Sequence, residues 1–136
     1  MDIDSLPAAE FAFPGPLRDR LVAAILSGAK TATTGLLQEY SEGLPRVGDR
    51  SALLDSAERR VAVLEITGVE IVALRDVPLG HVLDEGEGHE SVAHWREGHE
   101  RFWHSTPMRA ELGDPEFTVH DGTQVVLERF RVVHRS

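Results

Sequence analysis

The stretch Gly28-Ala29-Lys30-Thr31-Ala32-Thr33-Thr34 follows a segment with apolar residues at three- and four-residue spacings, and it marks the point where a helix ends and extended chain begins. Pro16 suits the first turn of that helix, and Gly28 supplies the left-handed residue that closes it. The pattern therefore predicts a helix over residues 16–27. The β-branched threonines after Lys30 predict the start of a strand or an extended loop.

Lys30 and the threonine hydroxyls are candidates for chemistry, because a cation and a nucleophilic hydroxyl share one short turn. In a regular strand Lys30 and Thr33 point to opposite faces, so a shared pocket requires that the chain still turns at Lys30 or carries a bulge. The alternative is a solvated surface lysine beside threonines that only fill a strand. The residues alone leave both interpretations open.

Composition excludes several classes of protein. The chain has 136 residues, which is the size of a single domain with one core. It has no cysteine, so disulfides, thiolate zinc sites and a cysteine nucleophile are excluded. The net charge of -9 argues against a broad phosphate-binding surface. If a nucleic acid binds, we expect a short single-stranded segment or a single nucleotide and not a long duplex. We expect no cofactor, and a role for a divalent metal stays open.

The beginning of the chain is predicted to be an N-terminal arm over residues 1–11, which either lies over the domain or is a partly ordered tail, and a single domain is predicted over residues 12–136. The arm lacks the basic and apolar regions of a signal peptide, and no apolar run approaches the length of a membrane span. A cytoplasmic location without membrane association is the expectation. The sequence does not indicate an oligomeric state.

The remaining segments predict strands joined by short connections and one further amphipathic helix, over residues 91–104. Residues 35–46 are predicted to be a loop, in which Tyr40 either packs its ring on the domain or stacks a base. Residues 105–118 are predicted to be an irregular connection. Two helices among such strands favour the α+β class with a mainly antiparallel, curled sheet. The further strands are predicted at 51–55, 60–72 and 124–134.

The histidines and carboxylates near the second helix need separate consideration. Four histidines recur every five residues, a spacing that rotates a helix by about 140° net and points the rings in different directions, so they do not form a zinc site. Glu85 and Glu87 flank Gly86 just before this helix. They either stabilise the helix N-terminus or reach into a pocket, where one of them would pair with Lys30. The four histidines are His89, His94, His99 and His104.

Together these motifs resemble the ASCH domain family, which belongs to the PUA-like group of small β-barrel folds. The run from Gly28 to Thr33 fits the family pattern Gly-x-Lys-x-x-Thr/Ser, and the resemblance covers about residues 12–134. It implies a PUA-like curled antiparallel β-barrel with two main flanking helices. The other motifs that carry it are Pro45-Arg46-Val47-Gly48-Asp49, Glu85-Gly86-Glu87-Gly88, Trp95-Arg96-Glu97 with His99, and Glu128-Arg129-Phe130-Arg131-Val132-Val133.

The family is linked to RNA, and the resemblance implies two kinds of chemistry. In the ribonuclease branch, Lys30 stabilises the charge that develops on a phosphate, with Tyr40 or Ser105 assisting. In the N4-acetylcytidine amidohydrolase branch, Lys30 takes the proton of Thr33 and Thr33 attacks the acetyl carbonyl. Glu87 orients the partner groups in that reaction.

The implied function is an RNA- or nucleoside-processing pocket with Lys30, Thr33 and Glu87 as its catalytic residues. Hydrolysis of single-stranded RNA is the first hypothesis, and amide hydrolysis on a modified nucleoside such as N4-acetylcytidine is the alternative. A non-catalytic module that binds RNA or a nucleotide is the third. The expected partner is accordingly single-stranded RNA or a modified nucleoside. The candidate binding residues are Thr31, Tyr40 and Ser105.

Overall fold

The computed structural model describes residues 2–136, which form one five-stranded sheet and four α-helices. The strands are β1 (Ala8–Ala9), β2 (Ala32–Leu36), β3 (Arg50–Leu54), β4 (Arg60–Ala73) and β5 (Gln124–Arg135). The helices are α1 (Pro16–Ser27), α2 (Leu79–Asp84), α3 (Val92–Trp103) and α4 (Thr106–Leu112), and short 3₁₀ helices lie at Ile3–Ser5, Leu37–Glu39 and Leu74–Asp76. The strand order across the sheet is β1-β3-β4-β5-β2.

The sheet confirms the predicted α+β class with a mainly antiparallel, curled sheet. Every neighbouring pair of strands is antiparallel except β1 with β3. The long strands β4 and β5 change register twice, and the second change falls between Ile66 and Gly68. Such bulges bend a strand and increase its twist. They curl the sheet into a barrel-like shape that stays open between β1 and β2.

Two hydrophobic clusters lie on opposite faces of this sheet. Leu127 of β5 belongs to the cluster under α2, α3 and α4, where Trp95 and Trp103 are buried. Phe130, three residues later and of opposite parity, belongs to the cluster under α1 with Val22. Successive side chains of a strand alternate between faces, so β5 supplies both clusters. At the margin of the first cluster, the end of α2 contacts β2 through His81, Glu85 and Thr34.

Two segments differ from the sequence-based prediction. The predicted connection over 105–118 contains α4, whose first turn is capped by Ser105 and whose end is Gly113 in the left-handed conformation. A helix of seven residues is too short for its periodicity to show in the sequence. The predicted loop over 35–46 begins with the last residues of β2 and a 3₁₀ turn. By contrast, the predicted bounds of α1 and α3 agree with the structure to within one residue.

The N-terminal segment is attached to the sheet and to α1. Of the predicted arm, residues 2–11 are described, and Met1 lies outside the described residues. Ala8–Ala9 pair with β3 as the edge strand β1. The guanidinium of Arg18, which is 1% exposed, donates to the carbonyls of Phe11 (3.2 Å) and Ala12 (2.7 Å). This buried cation fixes the chain where it passes from β1 to α1.

Replacing Arg18 with methionine is expected to lower the free energy of unfolding by about 2–4 kcal/mol, because buried carbonyls lose a charged donor. It should also open the segment before α1 to limited proteolysis. Urea denaturation and protease digestion of Arg18→Met measure both effects. Arg20→Met, at an exposed position of the same helix, is the control, and equal effects of the two changes would contradict this role of Arg18.

Candidate functional site

Lys30 is buried at the junction of α1 and β2, with 2% of its surface exposed. Its backbone N–H donates to Ala24 at 3.0 Å, so the chain is still wrapped around the end of α1 at this residue. The ammonium group donates to the carbonyls of Ala32 (2.8 Å) and Glu85 (3.3 Å) and to Oε2 of Glu87 (3.0 Å). Three acceptors use all three N–H bonds of an ammonium group. The alternative of a solvated surface lysine is therefore wrong.

Gly86 allows the loop after α2 to approach this junction closely. Its φ is +64°, and a Cβ at this position would lie 2.2 Å from the carbonyl oxygen of Ala29. Only glycine adopts this conformation at so short a distance without strain. The loop consequently brings Glu85 and Glu87, one on each side of the glycine, to the Lys30 ammonium.

Glu85 is completely buried, and four residues surround its carboxylate. Oε2 accepts a hydrogen bond from the hydroxyl of Thr34 at 2.5 Å and lies 3.1 Å from Nε2 of His81. Oε1 lies 3.2 Å from Nε2 of His99 and 4.0 Å from the Lys30 ammonium. Nε2 of His81 is also 2.8 Å from the Thr34 oxygen, and since the Thr34 proton goes to Glu85, the network assigns a proton to that nitrogen.

The pKa values of the Glu85 and Glu87 carboxylates are shifted in opposite directions. Burial alone would raise the pKa of Glu85, but hydrogen bonds from His81 and His99, with the charges of His99 and Lys30, hold that pKa well below its ordinary value. Burial raises the pKa of Glu87 above its ordinary value of 4.5, and the charge of Lys30 only partly opposes this effect. Glu85 is therefore the permanently ionised group, whereas Glu87 is the one suited to exchange a proton.

His99 completes the charge balance of a polar cluster that consists of Glu85, Glu87, Lys30 and His99, called the cluster from here on. Its Nδ1 lies 3.1 Å from the carbonyl of Trp95 and donates to it, which leaves Nε2 facing Glu85. Burial acts to lower the pKa of His99, but the hydrogen bond and charge of Glu85 and the charge of Glu87 outweigh it and raise that pKa. The side chains of Glu87 and His99 keep 19% and 14% of their surface exposed, so these two groups are the ones that solvent reaches.

Within residues 2–136, one group of at least three histidine or carboxylate side chains is close enough together to hold a metal ion, and it consists of Glu85, Glu87 and His99. Ligand atoms of Glu85, Glu87 and His99 all lie within 4.8 Å of one another. Carboxylate and imidazole ligands suit several divalent transition metals. Such an ion would compete with the Lys30 ammonium, which already lies 3.0 Å from Glu87.

The structure brings Lys30 and Glu87 together but does not bring Thr33 to them. Thr33 pairs with Glu128 across β2 and β5, and side chains of paired residues share a face of the sheet. That face is opposite to the one on which Thr34 meets Glu85. Tyr40 lies on the Thr33 side, where its hydroxyl donates to Glu128. Burial, with the charge of Glu128, raises the pKa of Tyr40.

The remaining predicted binding residues have their own partners. Thr31 is exposed, and its backbone N–H donates to the carbonyl of Asp84 at 2.8 Å, which ties the start of β2 to the end of α2. The Ser105 hydroxyl donates to Phe102 at 2.7 Å and accepts from the backbone of Met108 at 3.3 Å as the N-cap of α4. These contacts give both residues a structural role.

Sequence reasoning missed part of the cluster. Glu85 and Thr34 appear in the motifs quoted above without a catalytic role, and His81 is not among the candidates. His99 enters there as a zinc ligand, excluded by its spacing to other histidines, and as part of a family motif without a stated role. A signal is present in the spacing of His81 and Glu85, which at i and i+4 share one side of a helical turn.

A family model described as the ASCH domain matches residues 10–134, nearly the whole chain. The chain belongs to the ASCH domain family. This family is usually linked to RNA binding, and its members share the PUA-like fold. No curated protein sequence matches the chain. Within residues 2–136, this ASCH domain has no helix that is long and apolar enough to cross a membrane.

Solved ASCH structures resemble the chain throughout its length. The ASCH domain from Lactobacillus crispatus JV V101 is 28% identical with a TM-score of 0.81, over 95% of this chain and 80% of that one. Protein EF3133 from Enterococcus faecalis V583 is 26% identical, also with a TM-score of 0.81, over 95% and 77%. A mutant of the ZmASCH protein from Zymomonas mobilis, 12% identical with a TM-score of 0.50 over 92% and 66%, shares the fold alone.

Gly86→Ala is expected to cost about 2–4 kcal/mol of stability and to move Glu87 away from Lys30, because its Cβ would collide with the Ala29 carbonyl. Gly88→Ala is the matched control, since its φ is +85° but nothing lies within 4 Å of its Cβ. It should cost only about 1 kcal/mol. Thermal unfolding of both variants makes the comparison, and equal losses would contradict the close approach.

The raised pKa of His99 predicts how stability depends on pH. A folded-state pKa above the ordinary 6.5 contributes stability that is complete below about pH 6.5 and is lost as pH rises through the folded value. The thermal midpoint should fall over that range, and His99→Gln should flatten the fall. His134→Gln, an exposed position on β5, is the control. An unchanged slope in His99→Gln would contradict the assignment.

Proposed function

We propose that this ASCH domain hydrolyses an amide on a modified nucleoside, with Glu87 as the proton-transfer residue and Lys30 as the fixed positive charge. The observation that carries the proposal is the contact of Glu87 with the Lys30 ammonium at 3.0 Å. Of the two carboxylates of the cluster, Glu87 is the one that solvent reaches. A general base needs both access and a pKa shifted toward the working pH. Glu87 has both, and Glu85 has neither.

The reaction follows from these roles. Glu87 takes a proton from a water molecule while the water oxygen forms a bond to the acyl carbon and the carbonyl electrons move onto its oxygen. Lys30 stabilises that negative charge from a buried position, where the charge of an ammonium group is poorly screened. The carbonyl then re-forms, the C–N bond breaks, and Glu87 returns its proton to the leaving nitrogen. The products are a carboxylic acid and a free amine.

In this scheme the attacking group is water, and Thr34 holds the Glu85 carboxylate in place. Its hydroxyl already donates to Glu85 at 2.5 Å, and Glu85, with its lowered pKa, is too weak a base to activate it. The role of nucleophile that the family resemblance gives to Thr33 would need a hydroxyl on the other face of β2. The three N–H bonds of Lys30 are also all donated, so Lys30 serves as a charge and not as a base.

Charge favours a neutral nucleoside over a polyanion. With His99 protonated, the cluster of Glu85, Glu87, Lys30 and His99 has two negative and two positive charges, which cancel. The chain as a whole has a net charge of -9. Binding of RNA through many phosphates depends on many basic contacts, whereas an uncharged nucleoside loses nothing to an acidic surface. The amide reaction therefore takes precedence over the first hypothesis drawn from the sequence.

Hydrolysis of single-stranded RNA is the second candidate, and Arg129 favours it. This arginine is 46% exposed in its side chain and lies 2.6 Å from Asp84, the residue before Glu85. It is placed to contact one backbone phosphate beside the cluster. A non-catalytic module that binds RNA or a nucleotide uses the same cluster without turnover.

Glu87→Gln is expected to lower turnover about 100-fold or more, because the amide keeps the size of the side chain but does not accept the proton. The assay is mass spectrometry of N4-acetylcytidine and a short single-stranded RNA in one mixture, with Mg²⁺ or with EDTA. Acetyl loss identifies the amide reaction, and strand scission identifies the ribonuclease. Glu90→Gln removes the same charge from an exposed position three residues away and is the control.

Intact substrates with the wild-type protein in every mixture would overturn catalysis and leave the binding module. Thr33→Val and Thr34→Val separate the two threonines further. Turnover that survives Thr34→Val but not Thr33→Val would support Thr33 as the nucleophile and contradict the water mechanism. Lys30→Ala is a poorer test, since breaking a buried ion pair costs about 3–5 kcal/mol and lowers stability along with activity.

A further inference from the structure

Phe11 and Phe13 are two aromatic residues in the segment before α1, close to the cluster. The ring of Phe11 packs on Phe130 at 5.8 Å and lies 6.0 Å from the Lys30 ammonium. The ring of Phe13, two residues on, lies 6.1 Å from that of Phe102 on α3. The segment before α1 therefore extends from the lysine to α3.

Helical spacing puts the ring pair of Phe13 and Phe102 near His99, one of the two groups of the cluster that solvent reaches. Phe102 is three residues after His99 on α3, and residues at this spacing are neighbours on one side of a helix. His99 is the residue of α3 that contacts Glu85 and faces Glu87. The planes of the two phenylalanine rings are tilted by 31°, so a flat molecule stacked on one ring meets the other ring at that angle.

The backbone holds Phe13 in this exposed position. Ala12 has a φ of 58°, in the left-handed region that residues with a Cβ rarely adopt. Arg18 compensates, since its buried guanidinium donates to the Ala12 carbonyl at 2.7 Å. Phe13 is nevertheless 39% exposed. A strained and firmly anchored segment that leaves a phenylalanine ring in solvent is typical of a binding site and not of a hydrophobic core.

We propose that Phe13 and Phe102 form a stacking ledge for the flat heteroaromatic base of the substrate. This inference rests on the proposed function and assigns the base of that nucleoside to a defined surface of the protein. The base stacks on the two rings, and its exocyclic group extends toward Glu87 and Lys30. Ribose and any phosphate remain toward solvent, so the ledge selects the base and the charged cluster selects the reacting group.

Phe13→Leu is expected to weaken binding of cytidine about tenfold, because leucine keeps the apolar packing but removes the flat ring. Phe13→Trp should bind cytidine at least as well as the wild type. NMR titration of the full chain with cytidine gives both dissociation constants, and 1-O-methylribofuranoside, which lacks a base, should show no difference among the variants. Val47→Ala, at an exposed apolar residue in the loop before β3, is the control.

The outcomes separate this inference from the proposed function. If the wild type binds cytidine and Phe13→Leu binds it equally well, the ledge is overturned and the proposed function stands. If the wild type neither binds cytidine nor hydrolyses N4-acetylcytidine, the proposed function fails, and the ledge fails with it. If the Phe13 variants do not fold, nuclear Overhauser effects between cytidine and the rings of Phe13 and Phe102 in the wild type test the ledge directly. Their absence in the saturated complex would overturn the ledge.

In the hydrolysis assay, Phe13→Leu should raise KM for N4-acetylcytidine by a similar factor and leave kcat nearly unchanged. Glu87→Gln should instead lower kcat. A loss of kcat in Phe13→Leu at unchanged KM would contradict a binding role for the ring.

Discussion

The buried ammonium group of Lys30 joins three parts of the chain that are distant in sequence. Lys30 contacts the end of α1 through its own backbone, β2 through the Ala32 carbonyl, and the loop after α2 through Glu85 and Glu87. A buried charge is stable only when it is paired and hydrogen-bonded, so each of these contacts is required by the others. Together with the hydrogen bond from the Thr31 N–H to the Asp84 carbonyl, Lys30 holds the loop after α2 in place.

The same requirement explains why two neighbouring glutamates behave differently. Glu85 points inward and collects hydrogen bonds from Thr34 and His81, which fix it in the ionised form. Glu87 has Lys30 as its main partner, and burial raises its pKa by more than the charge of Lys30 lowers it, although part of the side chain reaches solvent. One turn with a glycine in the middle thus gives two residues of the same type opposite pKa shifts. The chemistry we propose uses this difference.

Much of the fold could be predicted from local pattern, whereas most of the site could not. The bounds of α1 and α3 followed from proline, glycine and serine signals at their ends, and the strands followed from their β-branched residues. The pairing of Lys30 with Glu87 was one of two alternatives that the residues left open. The contacts of Thr34 with His81 and Glu85 span 47 and 51 residues and depend on how α2 packs against β2. No periodic pattern in the sequence indicates contacts between residues so far apart along the chain.

β2 lies at the edge of the open sheet, and its outer backbone groups are partly occupied by charged side chains. Lys30 donates to the Ala32 carbonyl near one end, and a carboxylate oxygen of Glu39 accepts the N–H of Leu36 at 3.1 Å at the other. An uncovered edge strand is a template on which a second chain adds a strand, and charged residues along the edge oppose such growth. By occupying the outward-facing carbonyl of Ala32, Lys30 removes one of the backbone acceptors that a second chain would need in order to pair with this edge.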